Sequence, residues 1–512
     1  MRTSAQRKNV FVFSVVTLLI SGCSVTPSKL DDSSVKHSVQ ANLELINNDA
    51  ELALLEVDLA YAVGRAVQFN YERKLKTLES VLQDKQLEMS VFEQLPSMTA
   101  SAGYSKRDSY AASASTTFLN GVPADLPATP SYSVSQDKDS TTSSVGFAWS
   151  VLDFGLSYVR AKQQADQYLI AQERERKVIH NITKEVRSAY YRAVSAQKLL
   201  SRIEPLMVRA RDALASSEEL EALRAEPPLE ALAYQRSLLE ILRTLQSLRQ
   251  ELSTSKSELA RLMGIKPGTE LNLTELKSDD YQVPEVSLGM SCMETIALER
   301  RPELMETRYR ERISVEETRA ALLKLLPGIT LDAGYNYDGS DYLLNNEWAS
   351  YGAKVSWNLF NIFSLGKQQE LADLKVALAK QQTLATSMAV LSQVHMANAN
   401  YAESRTTYRI SEQYLSVSQR IADQTDNASQ VQNVGELKLI REHLNQILAE
   451  LRRDIAFASM QNYYGEIMTS IGLDLIDDEY KSMDVEAVAE LIKARLEQWN
   501  VSNFDSLSCE TI

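Results

Sequence analysis

Three pairs of landmarks in this 512-residue chain recur at a single spacing. Trp149 and Trp357 close similar alternating segments, Pro227 and Gly435 interrupt long polar tracts, and Gly264 and Gly472 end them. Each pair is 208 residues apart. Equal offsets at three places indicate an internal duplication, so the chain must fold as two copies of one supersecondary unit. The glycines after the tryptophans, Gly155 and Gly366, are offset by 211 instead, which puts a small insertion between landmarks.

The repeated unit can be read from local chemistry. Ser144–Trp149 and Tyr351–Trp357 alternate with period two, the signature of a strand. A second alternating segment precedes each, at Ser97–Tyr104 and Gly328–Tyr335, directly behind Leu95-Pro96 and Leu326-Pro327. Proline cannot continue a helix and drives the residue before it to extended backbone, so each Leu-Pro marks a helix-to-strand boundary. The order in each half is helix, strand, strand, long helix, turn, helix. This gives a first repeat at 50–264, an equatorial linker at 265–287, a second repeat at 288–472 and an acidic tail at 473–512. Leu52, Leu55, Leu59, Ala62, Ala66 and Phe69 alternate three and four apart, as do Ile182, Val186, Ala189, Ala193, Ala196, Leu200 and Ile203. That is heptad spacing, and its many alanines allow close backbone approach. Gly155 to Pro227 is about 108 Å of helix and Gly366 to Gly435 about 104 Å, whereas each returning segment is only about 56 Å. Two short helices end to end would match one long helix. Their ends, the linker and the tail would then form a girdle around the middle.

The strands set a second constraint. The loops joining them lie within Asn120–Pro130 and near Gly339–Tyr342. Four strands make one sheet with two open edges, which in lipid leaves backbone groups unpaired at several kcal/mol each. Copies must therefore combine. The Ser, Thr, Tyr and Ala of these strands suit a polar lumen and a modestly apolar exterior, and Trp149, Trp357 and Tyr351 fit an interfacial belt.

Arg2, Arg7 and Lys8 precede an apolar run from Val10 to Ile20, too short to span a bilayer and typical of a signal peptide. Leu19-Ile20-Ser21-Gly22-Cys23 resembles a bacterial lipobox, which implies removal of residues 1–22, acylation of Cys23 and a linker over 23–49. Cleavage there would shift the formal net charge from -14 to -17. So acidic a chain does not suit a nucleic-acid backbone. Cys292 and Cys509 are the remaining cysteines, enough for one optional bridge but not a disulfide framework. His37, His180, His395 and His443 are scattered and offer no metal cluster. No paired-carboxylate motif, phosphate loop or nucleophile elbow is present, so neither an enzyme nor a cofactor is expected.

Taken in order, Cys23, the two Leu-Pro boundaries, Trp149 to Gly155, Trp357 to Gly366 and the helix ends at Gly264 and Gly472 resemble the TolC-type outer membrane factor family, in its lipoprotein branch. The resemblance covers nearly all of the mature chain. It implies a mainly α fold with a membrane β-barrel part. In the family, a homotrimer contributes four strands per chain to a twelve-stranded barrel above a periplasmic α-helical tunnel. It also implies partnership with a periplasmic adaptor protein and an inner-membrane transporter, and a place in the outer membrane of a Gram-negative envelope. The expected function is a channel passing solutes from that pump to the outside. A polypeptide secretion duct and a non-pore envelope coiled coil are the alternatives. The hairpin tips, at Pro227 and Gly435, are where such a tube is expected to close. Acidic residues lie near both: Glu218, Glu219 and Glu221 in the first half, Asp423 and Asp426 in the second. Asp423 and Asp426 are three apart and share a helical face. Glu226-Pro227-Pro228 departs from the glycine-bearing turn common in the family, which leaves adaptor contact at the first tip open.

Overall fold

The structure is a computed structural model, described here over residues 28–47, 56–125, 129–223, 227–277, 281–430, 435–476 and 478–500. It divides into two units, 1–54 and 55–512. Within the first, the segment expected as a linker contains a helix, α1 (Asp32–Asn47). Cys23 lies outside the described residues.

In the second unit the chain begins with β1 (Glu56–Val57), α2 (Leu59–Phe69) and α3 (Tyr71–Phe92). Next come β2 (Ser97–Lys106), the two-residue strands β3 (Ala112–Ser113), β4 (Phe118–Leu119), β5 (Val122–Pro123) and β6 (Ser133–Val134), and β7 (Asp139–Ser150). Helix α4 (Val151–Ala222) returns through α5 (Pro228–Leu262), and β8 (Asn272–Leu273) lies in the linker. The second repeat runs α6 (Met290–Arg300), α7 (Pro302–Leu323), β9 (Gly328–Asp338), β10 (Glu347–Ser356), α8 (Asn361–Gln430) and α9 (Glu436–Ser470). The tail contains α10 (Val485–Asn500). Each half thus runs from short helices through strands to a long helix and a returning helix.

The first loop is longer than its turn signal. Strands β2 and β7 stop at Lys106 and restart at Asp139, and Asn120-Gly121, both at positive φ, turn the small β4–β5 hairpin inside it. The leading helix of each half is broken in two, at Asn70 and at Arg301. Asn70 Oδ1 accepts from the N–H groups of Glu72 and Arg73 and so caps α3, while Pro302 sits in the first turn of α7. These breaks are where the returning helices end. Gly264 (φ +70°) and Gly472 (φ +76°) terminate α5 and α9 in left-handed backbone. The N–H of Ile265 bonds the carbonyl of Ala260 at 2.8 Å and that of Leu473 bonds Met468 at 3.0 Å, the six-to-one closure of a Schellman turn. Asn70 Nδ2 donates to Leu262 O at 2.9 Å, and an Arg301 guanidinium N–H donates to Thr469 O at 3.0 Å. A side chain at each break therefore satisfies a carbonyl at the end of the helix that abuts it. Short helices meet end to end in both halves, and the joints are built from residues 192 and 168 positions apart.

The heptad stripe of α4 is buried at Ile182, Val186, Ala189, Ala193, Ala196 and Ile203, but the seam takes Leu199, fully buried, in place of half-buried Leu200. A 3.6-residue turn drifts against a 3.5-residue repeat, which makes such a shift natural. On α2 the pattern is not a stripe. Ala60, Ala62, Val63, Arg65, Ala66 and Val67 are all buried, because α10 packs against it, with Gly64 admitting the backbone of Ala489. The tail is therefore not irregular as its composition suggests: Val488 and Ile492, four apart, are fully buried. In the linker, β8 pairs in parallel with β1. Linker and tail thus both pack against the start of the first repeat.

Candidate functional site

The four long strands form one antiparallel sheet in the order β10-β9-β7-β2, leaving the outer edges of β2 and β10 unpaired. Its register sorts the residues onto two faces. Across one face run Met98–Phe147–Ala333–Tyr351 and Ala100–Val145–Tyr335–Ala349, followed by Trp149–Leu331–Ala353 and Ile329–Val355. Across the other run Ser97–Ala148–Asp332–Gly352, Thr99–Gly146–Gly334–Ser350 and Ser101–Ser144–Asn336–Trp348. Apart from Ala148 and Trp348 this second face is glycine, hydroxyl, amide and carboxylate. Ser101 and Ser144 share a hydrogen bond at 2.8 Å, and Asn336 Nδ2 donates to Ser350 Oγ at 3.1 Å. The apolar side is open, with Tyr351 85% and Met98 75% exposed. The sheet is thus apolar on one side, lined by small polar groups on the other, and unpaired at both edges within the chain.

The tryptophans close this sheet against the helices. Trp149 packs edge-to-face on Phe154 at 5.8 Å, and Trp357 Nε1 donates to Leu325 O at 2.9 Å, just ahead of the Leu-Pro boundary.

At the other end of the helices, Pro227 caps α5 with Pro228 in its first turn, and Gly435 caps α9. Gly435 has φ −74°, extended backbone that any residue adopts, so its conformation does not require glycine. Residues 224–226 and 431–434, between the helices, lie outside the described set. The acidic candidates are not alike. Glu221 accepts from Gln235 Nε2 at 2.7 Å, across its own hairpin. Asp426 pairs with His443 Nε2 at 3.0 Å, likewise across its own hairpin. Glu218, Glu219 and Asp423 are exposed. Asp423 and Asp426 thus share a helix face in sequence but not a chemical role. Their different environments follow from hairpin register, since 426 and 443 lie at matching distances from the turn. A buried core of Leu199, Ile203 and Met207 from α4, Leu238 and Leu245 from α5, and Ile440 and Ile447 from α9 fixes three helices together. The ion pair of Arg209 with Glu436 adds a link between the hairpins on this side.

The middle of the helices carries polar networks that no local sequence pattern marks. Asp474, just past Gly472, accepts from Arg176 Nε and bonds His180 Nε2, each at 2.7 Å. Burial alone would raise its carboxyl, but the hydrogen bonds from His180 and Arg176 hold it below the ordinary carboxylate range. Burial pushes Asp454 the other way, above that range, although Arg453 and Ser195 both contact it. The Tyr281 hydroxyl of the linker donates to Asp454 at 3.2 Å, and its pKa is raised mainly by burial. Cys292 is disulfide-bonded. Three of the four histidines pair with a carboxylate: His180 with Asp474, His395 with Glu294, and His443 with Asp426.

Comparison with known proteins matches residues 295–431 to the family model of the outer membrane efflux protein. A comparison with curated protein sequences gives no match. The crystal structure of CusC, described in terms of folding and transmembrane channel formation, superposes with a TM-score of 0.62 at 16% identity, covering 82% of this chain and 93% of that one. The Campylobacter jejuni CmeC outer membrane channel gives 0.61 at 14% identity, covering 85% and 89%. The open state of the Neisseria gonorrhoeae MtrE outer membrane channel gives 0.59 at 16% identity, covering 81% and 89%. At these identities the likeness is one of fold, and the fold is that of the outer-membrane channels. The family match lies within the second repeat, and the fold that the whole chain shares is that of these outer-membrane channels.

Proposed function

We propose that the chain is the outer-membrane channel of a tripartite efflux system. It acts as a homotrimer that passes solutes from an inner-membrane transporter, through a periplasmic tunnel, to the outside. The observation that carries this reading is the two-faced sheet with unpaired edges on β2 and β10. About half the backbone groups of each edge strand point outward, so lipid exposure would cost on the order of tens of kcal/mol per chain. Pairing β2 of one copy with β10 of the next removes that cost, and three copies supply twelve strands. The helices support the same arrangement. Leu75, Leu78, Leu82 and Met89 form an exposed apolar stripe on α3, and Leu371, Leu374, Leu378 and Met388 another on α8. They lie below opposite edges of the sheet, where a neighbouring copy would meet them. A non-pore scaffold would need no such sheet.

The polar face becomes the lumen, and acyl chains on Cys23 add attachment to the outer membrane. The hairpin tips form the constriction, where exposed Leu220, Leu223, Leu229 and Leu232 offer a periplasmic adaptor an apolar surface. At the tips, threefold repetition of an inward carboxylate favours cations. Asp423 is the first candidate and Asp426, held by His443, the second.

The test is native mass measurement in mild detergent together with planar-bilayer conductance. Three copies and a stable open conductance are expected. Deleting β9 and β10 should abolish both, since the remaining edges cannot close. A stable monomer retaining its full strand content would end this reading.

A further inference from the structure

Two buried donors on α4 take no part in the networks above. His180, Thr183, Lys184 and Arg187 are spaced three, four and seven apart, so they share one face of that helix. They line one wall of an enclosed cavity of about 20 Å³. Gly465 and Thr469 of α9, four apart, form another wall, and Leu473, Leu475 and Leu496 close it. That volume admits one particle near the size of a water molecule.

The charged groups of the lining have one sign. No carboxylate lines the cavity among the described residues. Asp474 lies between two of the closing leucines in sequence, but its carboxylate is held by Arg176 and His180 and is not part of the lining. Arg187 is only 6% exposed. Its Nη2 donates to Gln461 Oε1 at 2.6 Å, and its guanidinium stands 5.4 Å from the centre of the Tyr464 ring. Neither partner is a carboxylate. Arg187 Nε is buried without a hydrogen-bond partner, and so is the hydroxyl of Thr183, one turn before it. A Cβ built on Gly465 would lie 3.8 Å from Arg187 Cδ, the atom that carries Nε, so the orphaned N–H sits beside the cavity wall.

A buried donor without an acceptor is destabilising, and a buried cation without a counter-charge more so. A water molecule would satisfy the two donors but not the charge. Sulfate and phosphate are too large for so small a space. A monatomic halide accepts from both donors, carries the opposite charge and asks nothing polar of the leucine side.

We propose that this cavity is a structural chloride site, with Arg187 Nε and Thr183 Oγ1 donating to the ion and Lys184 adding positive potential. Its walls come from α4, α9 and the tail, so the ion pins the C-terminal tail to both repeats. The site does not depend on the channel reading.

Bromide serves as the probe in the full chain. Crystals grown in bromide and measured at the bromine absorption edge should show an anomalous peak between Arg187 and Thr183. No peak there, or water in its place, would overturn the site. In solution, the thermal midpoint of the detergent-solubilised protein should rise by several degrees, saturably, with sodium chloride or bromide but not with sodium gluconate at the same ionic strength. An equal rise with all three would reduce the effect to screening and overturn the site. Thr183→Val keeps the size of the side chain and removes its donor. It should need on the order of tenfold more chloride for the same rise, the loss of one hydrogen bond to a charged group. Arg187→Met should lose the halide response altogether, and if that variant does not fold, the bromide peak and Thr183→Val decide alone. A Thr183→Val response equal to that of the unsubstituted chain would overturn the proposal.

Discussion

Substituting the repeat-related glycines with alanine should have opposite effects according to where each glycine sits. Gly472 has φ +76°, and a Cβ there would lie 2.9 Å from the carbonyl carbon of Arg300 and 3.0 Å from both its oxygen and the nitrogen of Arg301. All three are backbone atoms at the α6–α7 break and cannot rotate away. Left-handed backbone costs a residue with a side chain about 1–2 kcal/mol, and overpacking adds about 1–3. Gly472→Ala should therefore lose roughly 2–5 kcal/mol. Gly264→Ala should lose at least as much, since its Cβ would sit 2.5 Å from Phe69 O at the α2–α3 break. Gly155 and Gly366 lie inside α4 and α8 with nothing within 4 Å of a built Cβ. There alanine should stabilise by up to about 1 kcal/mol through helix propensity. The assay is thermal unfolding of the detergent-solubilised trimer by tryptophan fluorescence, compared as midpoints because so large an assembly is not expected to unfold in two states. Limited proteolysis around 69–71 and 300–302 should report the local opening. A Gly472→Ala midpoint equal to or above that of Gly366→Ala would refute the assignment of Gly472 to a left-handed joint pressed on backbone.

Asp423→Asn should reduce block of single-trimer conductance by divalent cations more than Asp426→Asn, because Asp426 is engaged by His443; unchanged conductance and block in the double variant would remove both from the gate. Glu221→Gln should change conductance little, since Gln235 already holds that side chain within its hairpin. The Asp474 carboxyl is held below its ordinary 3.8, so its bonds stabilise the fold above that pH and are lost as pH falls through the depressed value. Asp474→Asn should cost about 1 kcal/mol at neutral pH, allowing for partial exposure, and flatten the acid limb of a stability–pH curve; an unchanged limb would show that the bond does not matter. Cys23→Ser should abolish incorporation of labelled palmitate while leaving part of the trimer assembled, and label retained on the variant would exclude acylation at that position.

Much of the architecture follows from short-range signals in the sequence. Leu95-Pro96 and Leu326-Pro327 set the helix-to-strand boundaries because proline restricts its own backbone and that of the residue before it. Period-two alternation locates the four long strands, and Gly264 and Gly472 end the returning helices because a left-handed joint favours glycine. The 208-residue offset orders these signals into two equivalent units. The rest depends on distance. The breaks at Asn70 and Arg301 exist where a helix end from far along the chain needs its carbonyls satisfied. The tail becomes a helix because Val488 and Ile492 are buried when α10 packs on α2, a short signal hidden in acidic composition. Asp423 and Asp426 read alike until the hairpin brings His443 to one of them. The pairing of His180 with Asp474 spans 294 residues and leaves no local pattern. Backbone conformation and amphipathic period act over a few residues, so sequence alone determined the elements and their order. Helix ends, buried charges and hairpin partners are settled only when remote segments meet, so tertiary structure decided the joints, the packing of linker and tail, and the separate environments of the tip carboxylates.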